Sequence, residues 1–378
     1  MIAATMAPAL RRLALAGGGT AGHVYPAASI AKGAADHLIW LGRDVGMERE
    51  LAAALGIEFA PIAAGAVLGR GPVDLLRSAL LNARGIIQAR SILRRVRPNA
   101  LLATGGYVSF PAVIAAWSLR IPTVIYLPDV KPGLAVRVLS RFATRMACTT
   151  AESRRFLPAD RVVVTGYPIR GDLRDWADRP NRRTDARAEL GIGDEPVVVV
   201  MGGSLGAQAV NEAIWANLDT LIASARVIHI TGARGAERAE IIAQGLADRD
   251  RGRYQWHAFV TDQLGPILAA ADLFVGRAGA SILGELPPFG LPGLVIPGSF
   301  AAGHQNANAE YFARAGAGWT FTGALPERGR ELTERVLAVV GDRKALAAAG
   351  DAARALDLPE AAARIRTLLS DISRGRTT

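Results

Sequence analysis

The sequence predicts an α/β protein with two domains, each built on a doubly wound parallel sheet. Short apolar runs alternate with helical segments along the chain, and this alternation is typical of parallel sheets covered by helices. Two of the runs, residues 13–16 and 196–201, lead into glycine-rich turns that open helices. The length of 378 residues exceeds what one hydrophobic core normally supports, so two domains are expected.

The first half of the chain contains predicted strands separated by predicted helices. The strands are expected at residues 13–16, 37–41, 57–62, 100–103, 123–127, 145–148 and 162–164. The helices are expected near residues 27–35, 47–55, 73–96, 111–119 and 134–142. Such sheets bind ligands at the carboxyl ends of their strands, so the turns that follow the strands are the candidate functional positions.

The first glycine turn, Gly17-Gly-Gly-Thr-Ala-Gly-His23, follows a strand that is predicted to be buried on both faces. Glycine permits positive φ and close approach of a ligand to the backbone, and the helix N-terminus that follows favours anions. His23 could accept a proton near neutral pH, or it could simply cap or pack in the loop. Pro26 is expected in the first turn of the following helix.

The same turn satisfies the dinucleotide-binding pattern Gly-x-Gly-x-x-Gly with Gly17, Gly19 and Gly22. An NAD site requires an acidic residue at the end of the second strand, where this chain has Gly42 and Arg43. The pattern therefore leaves an NADP-dependent oxidoreductase open as an alternative.

The predicted domain boundaries follow from a change in composition after the first set of strands. Residues 1–170 form the first domain, residues 171–195 a charged linker, residues 196–355 the second domain and residues 356–378 a C-terminal helix. The second domain has strands at 196–201, 227–230, 254–257, 273–275 and 294–296, and a helical stretch from 331 to 373 closes the chain. Its turn Gly202-Gly-Ser-Leu-Gly-Ala207 repeats the first glycine turn and is a second candidate cradle for phosphate.

Two segments of the second domain carry candidate nucleotide-binding groups. Glu285 lies on a helix opened by Arg277-Ala-Gly-Ala-Ser281, where its carboxylate could accept hydrogen bonds from two ribose hydroxyls or could only interact with the helix dipole. The segment Gly303-His-Gln-Asn-Ala-Asn308 could read sugar hydroxyls or cap a helix. Asp248-Arg-Asp250 lies among arginines and is interpreted as solvated surface, so no metal site is predicted.

Positive charge is concentrated in the first half of the chain. Residues 1–165 contain 20 Lys and Arg against 9 Asp and Glu, whereas the remainder contains 24 against 25. This asymmetry indicates an anionic partner, and 6% aromatic residues without a nucleic-acid module favour a membrane surface over nucleic acid. Residues 66–97 combine seven arginines with clustered Val and Leu, as in a helix that lies in a membrane interface, but a packing helix with a solvated basic face is equally consistent.

Several segments follow one another in an order that is more specific than any one of them. They are Gly17-Gly-Gly-Thr-Ala-Gly-His23 with Pro26, Thr104-Gly-Gly-Tyr-Val-Ser109, Pro132-Gly-Leu134, Thr165-Gly-Tyr-Pro-Ile-Arg170, Gly202-Gly-Ser-Leu-Gly-Ala207, Glu285 and His304-Gln305. This series resembles the MurG family, the N-acetylglucosaminyltransferases that act on undecaprenyl-diphospho-muramoylpentapeptide in peptidoglycan synthesis.

The resemblance implies a GT-B fold, in which two Rossmann-like domains face a cleft, and an inverting, metal-independent transfer of GlcNAc from UDP-GlcNAc that makes lipid II without a cofactor. It implies that His23 is the catalytic base. The acceptor-binding residues that it implies are Gly19, Thr20, Gly22, Gly105, Gly106, Tyr107 and Asp129. The donor-binding residues that it implies are Arg170, Gly203, Ser204, Phe259, Val260, Arg277, Ala280, Glu285, His304 and Gln305.

The resemblance also implies the partners and the location of the enzyme. The partners are the UDP-GlcNAc donor, a polyprenyl-diphosphate-linked sugar acceptor and an anionic membrane surface, bound through the basic first half. A peripheral position on the cytoplasmic face of the cell membrane is expected. The single cysteine, Cys148, and the lack of a convincing targeting segment agree with that location.

Three segments depart from the family pattern. Tyr126-Leu-Pro-Asp129 replaces His-Glu-Gln-Asn, Leu205 replaces a glutamine in the second glycine turn, and Ala278-Gly-Ala-Ser-Ile282 replaces Ser-Gly-Ala-Leu-Thr. The donor sugar and the acceptor therefore stay open. A related glycosyltransferase with another lipid acceptor, a non-catalytic sugar-nucleotide or lipid-binding module and an NADP-dependent oxidoreductase are the alternatives.

Overall fold

The computed structural model describes residues 10–19, 21–66, 71–203, 207–298 and 303–375. They divide into two compact units. The first unit comprises the chain up to Arg170 together with the residues from Leu358 onward, and the second unit is Gly171–Asp357.

Parallel strands form the sheet of the first unit, as the alternation of apolar runs and helices predicts. They are β1 (Leu10–Gly17), β2 (Ala35–Gly42), β3 (Glu58–Pro61), β4 (Ala100–Gly105), β5 (Thr123–Leu127), β6 (Arg145–Cys148) and β7 (Val162–Val164). Their order across the sheet is β3-β2-β1-β4-β5-β6-β7. The winding direction reverses between β1 and β4, so the carboxyl ends of these two strands are the switch point at which such sheets bind ligands.

Helices cover the faces of this sheet. They are α1 (Ala21–Ala31), α2 (Met47–Ala54), α3 (Pro72–Val96), α4 (Ser109–Ser118) and α5 (Leu134–Leu139). All residues of β4 and β5 are buried, because helices lie against both faces. The buried Trp40 indole N–H donates to the carbonyl of Gly17 at 2.9 Å and so fixes the end of β1 where the first glycine turn begins.

Helix α1 begins earlier than the sequence predicts. The predicted start near residue 27 places Pro26 at the N-terminus, but α1 begins at Ala21 and Pro26 lies inside it. Pro26 has no N–H, so the helical hydrogen bond that residue 26 would make to the carbonyl of Gly22 is absent. As a result, His23 lies in the first turn of α1 rather than in the loop before it.

The second unit repeats the same arrangement with a smaller parallel sheet. Its strands are β8 (Val197–Met201), β9 (Arg226–Ile230), β10 (Tyr254–His257), β11 (Leu273–Arg277), β12 (Gly293–Ile296) and β13 (Gly318–Thr320), in the order β10-β9-β8-β11-β12-β13. Its helices are α6 (Gly171–Ala177), α7 (Arg182–Glu189), α8 (Gln208–Trp215), α9 (Leu218–Ile222), α10 (Ala236–Gly245), α11 (Asp248–Arg251), α12 (Leu264–Ala270), α13 (Ile282–Glu285), α14 (His304–Arg314), α15 (Leu325–Gly341) and α16 (Arg343–Ala355).

The segment that the sequence predicts as a linker, residues 171–195, forms α6 and α7 and packs within the second unit. Several of its arginines form ion pairs, whereas other charged residues of the segment are exposed. Arg183 and Arg187 both bind the carboxylate of Asp272, at 2.6 and 2.8 Å, and Arg174 binds Asp357 at 2.8 Å. Part of the charged composition therefore reflects ion pairs with residues elsewhere in the second unit.

The predicted helical stretch 331–373 is divided among α15, α16 and a last helix, α17 (Ala361–Ser373), which belongs to the first unit. Arg364 donates to the carbonyl of Thr165 and Arg366 to that of Lys32, both at 3.2 Å. Ile365 and Leu369 are fully buried. The predicted C-terminal helix is thus an integral part of the first unit, although it lies far along the chain from the other elements.

Candidate functional site

Each sheet carries a glycine turn at its switch point. In the first unit, Gly17 at the end of β1 is paired with Gly105 at the end of β4. In the second unit, Met201 at the end of β8 is paired with Gly276 in β11, and Gly203 follows with φ +89°. Parallel strands of one sheet end at the same edge, so each turn lies where ligands of doubly wound sheets bind.

The two turns of the first unit interlock so tightly that only glycine fits. A Cβ atom on Gly17 would lie 2.1 Å from the hydroxyl of Thr104, and one on Gly106 would lie 2.2 Å from the carbonyl oxygen of Gly18. Gly19 and Gly106 also have positive φ, at +95° and +77°. The absent Cβ atoms of Gly17 and Gly106 thus leave room for protein atoms, whereas Gly19 has nothing within 4 Å of its Cβ position and is open to close approach by a ligand.

His23 lies against the second of these turns. A Cβ atom on Gly105 would be 2.5 Å from its Nδ1, so the imidazole rests on the glycine backbone. The hydroxyl of Thr104 donates to the carbonyl of His23 at 2.8 Å, which ties the first turn of α1 to β4. The structure thus brings His23, Gly105 and Gly106 together at the carboxyl edge of the sheet.

The other acceptor-side residues lie on or near the same edge. Gly22 precedes His23 in α1, and Tyr107 follows Gly106 with its side chain exposed. Asp129 follows β5, the strand next to β4, and is half-buried. Thr20 lies outside the described residues.

Tyr126, which opens one of the segments that depart from the family pattern, has its side chain in the core. It is fully buried, and its hydroxyl lies 2.9 Å from that of Thr149. Burial raises the pKa of Tyr126 well above its usual value, and the nearby Asp129 adds to this effect. Tyr126 therefore supports β5 and β6 and presents no surface to a ligand.

Glu48 is a site residue that the sequence reasoning missed. It lies in the first turn of α2, is 1% exposed, and accepts a hydrogen bond from the backbone N–H of Gly19 at 3.3 Å. The dinucleotide pattern predicts an acidic residue at the end of β2, where the chain has Gly42 and Arg43. Glu48 follows five residues after Arg43, and the fold brings its carboxylate to the first glycine turn.

Arg170 is assigned to the first unit, although the sequence predicts a donor-binding role for it. Its guanidinium lies over the ring of Tyr25 in α1, 5.4 Å from the ring centroid. This contact connects the last residue of the first unit's main segment to the helix that carries His23.

In the second unit, Arg277 and Gln305 converge at the ends of β11 and β12. The Gln305 side-chain oxygen accepts a hydrogen bond from the N–H of Gly298 at 2.7 Å, and Arg277 donates to the carbonyl of Pro297 at 3.3 Å. The buried Asn308 donates to the carbonyl of Ala278 at 3.0 Å and holds α14 against the end of β11. Burial lowers the pKa of Arg277.

The remaining donor-side residues lie at the same edge of the second sheet. Residues 277–281 lead into α13, a single turn that begins at Ile282 and contains the half-buried Glu285. Ala280 precedes this turn and His304 opens α14. Phe259, which is exposed, and Val260 follow β10, three strand spacings or about 14 Å from β11. Ser204 lies outside the described residues.

A buried polar network supports α8, the helix that follows the second glycine turn. Asn211 donates to the carbonyl of Thr231 at 2.8 Å, and its side-chain oxygen lies 3.1 Å from Nε2 of His229. The Nδ1 atom of His229 lies 3.2 Å from the hydroxyl of Tyr254, to which Trp215 donates at 2.8 Å. Burial lowers the pKa of His229 to about 3, so this imidazole is neutral and joins α8 to β9 and β10.

No helix in the described ranges combines the length and the apolar character needed to cross a bilayer. Across the same part of the chain, no three His, Cys, Asp or Glu side chains lie close enough together to hold a metal ion.

Two parallel-sheet units with a glycine turn at each switch point have the architecture of the GT-B fold, and the family matches identify the protein as a glycosyltransferase. The glycosyltransferase family 28 N-terminal domain matches residues 13–148, and the family's C-terminal domain matches residues 197–365. The crystal structure of Acinetobacter baumannii MurG superposes with a TM-score of 0.72 at 23% identity, over 95% of this chain and 99% of that chain, which confirms the predicted fold class.

Comparison with curated relatives identifies the family to which this glycosyltransferase belongs. This chain is 35% identical to the UDP-N-acetylglucosamine--N-acetylmuramyl-(pentapeptide) pyrophosphoryl-undecaprenol N-acetylglucosamine transferase of Roseiflexus sp. (strain RS-1), over 96% of this chain and 95% of the relative. It is also 35% identical to the enzyme of the same name from Desulforudis audaxviator (strain MP104C), over 96% and 98%. The chain therefore belongs to the MurG family within glycosyltransferase family 28. This membership confirms the prediction of a glycosyltransferase, rather than the alternatives of an NADP-dependent oxidoreductase or a non-catalytic binding module.

Proposed function

We propose that this enzyme transfers GlcNAc from UDP-GlcNAc to N-acetylmuramyl-(pentapeptide) pyrophosphoryl-undecaprenol and so makes lipid II for peptidoglycan synthesis. The observation that carries this function is 35% identity, across 95% or more of both chains, to transferases named for this reaction. The two glycine turns at the switch points supply a candidate anion site for each substrate.

The donor is placed on the second unit. Amide N–H groups of the turn at Gly203 and the cationic Arg277 suit the diphosphate, and they would stabilise the charge that develops as UDP leaves. Glu285 is placed on the ribose hydroxyls and the exposed Phe259 on the uracil ring. Because the Gln305 oxygen is engaged by Gly298, its amide N–H₂ group is the part that can donate to the sugar.

The acceptor is placed on the first unit, with its diphosphate at the turns of Gly19 and Gly106. His23 lies on the backbone of Gly105, beside the position proposed for that diphosphate. In this scheme, His23 removes the proton from the attacking sugar hydroxyl, the oxygen forms a bond to C1 of GlcNAc, and the C1 bond to UDP breaks on the opposite face. The anomeric centre is inverted, and no metal or cofactor enters the step.

We assign the contact with the membrane surface to α3. A peripheral contact of this kind is consistent with an acceptor that is carried by a lipid. One face of α3 packs on the unit: Asn82 accepts from the N–H of Gly65 at 3.0 Å, and Ala89 and Leu93 are buried. The opposite face exposes large apolar side chains, namely Val73, Leu76, Leu80 and Ile87, and Leu75 is also exposed near the start of the helix. Exposed arginines accompany them, as in interfacial helices that bind anionic lipid. The expected location is the cytoplasmic face of the cell membrane.

A UDP-release assay tests the proposed function. UDP should form from UDP-GlcNAc only when the lipid-linked muramyl acceptor is present, and the product should contain one added GlcNAc by mass spectrometry. UDP-glucose and UDP-GalNAc serve as donor controls. Turnover with a different UDP-sugar, or consumption of UDP-GlcNAc without an acceptor, would contradict the proposal.

A further inference from the structure

Glu48 occupies a socket formed by three glycines beside the first glycine turn. A Cβ atom on Gly18 would lie 2.4 Å from its Oε1, one on Gly46 would lie 2.5 Å from its Oε2, and one on Gly42 would lie 2.9 Å from its Cγ. A side chain at Gly18 or Gly46 would displace the glutamate, and one at Gly42 would also meet the ring of Phe59 at 2.5 Å. The three glycines therefore leave room for one buried carboxylate, which belongs to α2 rather than to the turn.

The carboxylate connects the ends of two strands through their backbones. Its Oε2 accepts from the N–H of Gly19, after β1, and its Oε1 accepts from the N–H of Arg43, after β2, both at 3.3 Å. Hydrogen bonds to a charged acceptor are stronger than neutral ones, and here both donors are main-chain groups. Glu48 therefore stabilises a backbone conformation.

The Gly18–Gly19 peptide is held on both sides. Its carbonyl oxygen faces Gly106, where a Cβ atom would lie only 2.2 Å away, and its N–H points to Glu48. A peptide between two glycines can otherwise rotate easily, because glycine has few steric restrictions. Glu48 and Gly106 together select one orientation of this peptide, just before the helix that carries His23.

We propose that Glu48 is a positioning residue for the transfer reaction: it holds the Gly18–Gly19 peptide, fixes the start of α1 and so keeps the imidazole of His23 in place over Gly105. It contacts the backbone and acts through His23. The proposal rests on the role of His23 as the base in the proposed function. A displacement of a reacting group by about 1 Å can lower the rate about a hundredfold, so the effect should be measurable.

The test compares Glu48→Gln with Glu50→Gln, an exposed glutamate on the same helix. Gln keeps the shape of the side chain, but its N–H₂ group faces a backbone N–H and one hydrogen bond is lost. We expect kcat to fall about ten- to a hundredfold in Glu48→Gln, with the KM for UDP-GlcNAc and the Kd for UDP within about twofold of wild type. Glu50→Gln should match the wild-type enzyme.

A double-mutant cycle separates this inference from the function on which it rests. In a His23→Ala background, Glu48→Gln should change the remaining rate by less than about twofold, because the group that it positions is absent. A full additional loss would overturn the proposal and leave His23 as the base. Near-normal turnover of His23→Ala alone would instead overturn the role of His23.

Further measurements complete the test. An unchanged kcat in Glu48→Gln would overturn a positioning role. A fall in kcat that is matched by an equal fall in the fraction of enzyme molecules that bind UDP would also overturn it, because the variant would then be partly unfolded. If Glu48→Gln does not fold, Glu48→Asp, which keeps the carboxylate but withdraws it by one methylene, is measured in the same way. Amide hydrogen exchange should accelerate in residues 17–24 of either variant and stay unchanged in β8. Unchanged exchange in residues 17–24 would overturn the proposal.

Discussion

Replacement of Leu76 and Leu80 by serine should release the enzyme from anionic vesicles. Both side chains are 64% exposed on α3. Complete burial of a leucine side chain is worth about 1.5–3 kcal/mol, so the exposed part of each should contribute roughly 1–2 kcal/mol on entering lipid. Together they account for roughly 2–4 kcal/mol. Since 1.4 kcal/mol is tenfold in affinity, binding should weaken from about thirtyfold to several hundredfold.

Sedimentation with vesicles that contain anionic lipid measures this effect, and Ile241→Ser is the matched control. Ile241 is 63% exposed on α10 of the second unit, so its loss removes similar apolar surface from a face assigned no lipid contact. Binding by the wild-type enzyme should also weaken with salt, because arginines surround the apolar residues of α3. Equal losses in both variants, or full binding by the α3 variant, would refute the assignment.

Three further predictions concern groups inside the two units. His23→Ala should lower kcat by about a hundred- to ten-thousandfold and leave the calorimetric Kd for UDP unchanged, because a general base acts on the acceptor hydroxyl. Glu285→Gln should weaken UDP and UDP-GlcNAc equally, by about ten- to a hundredfold in calorimetry, because a charge-assisted bond to ribose contributes roughly 1.5–3 kcal/mol. The free energy of unfolding should fall below pH 6.5, because burial lowers the pKa of His229 to about 3 in the folded protein. Its imidazole then binds a proton in the unfolded chain but not in the folded one.

The last of these effects has a calculable size and a control. At pH 5.5 the loss is about 1.4 kcal/mol relative to neutral pH, and it grows until the pH approaches the folded pKa near 3. Denaturant unfolding of the wild type and of His229→Gln at pH 7.5 and 5.5 measures it, since the variant lacks this component. An equal pH dependence in both proteins would show that His229 does not titrate as described. For Glu285→Gln, an unchanged affinity for UDP would mean that the residue serves only its own helix.

The strands could be predicted closely because helices cover both faces of each sheet and leave continuous apolar runs. Residues 123–127, 145–148 and 254–257 were predicted to their ends, as β5, β6 and β10. Strand β13, Gly318–Thr320, was missed because it is an edge strand of three residues that begins with glycine and ends exposed. Such a strand carries no periodic signal and forms because β12 offers it a partner.

The charged composition of residues 171–195 is compatible with two different structures, and the sequence predicts the wrong one. A solvated linker and a pair of ion-paired helices both require many charged residues, so residues 171–195 fit either. The partners decide between them: Asp272, which accepts from Arg183 and Arg187, lies 89 and 85 residues further along the chain. Sequence spacing does not show which charges will meet, and this part of the fold could be resolved only by the contacts.

The same argument explains why the sequence predicts the first glycine turn but not Glu48, whose carboxylate binds the backbone of that turn. Gly17, Gly19 and Gly22 indicate a glycine turn by their spacing, and Gly19, which has nothing within 4 Å of its absent Cβ atom, is open to a ligand. Gly18, by contrast, is glycine to admit the carboxylate of Glu48, which arrives on another helix. A glycine that makes room for a ligand and one that makes room for a side chain look the same in a sequence. They differ in which atoms lie close to the position of the absent Cβ atom, and only the folded structure gives those distances.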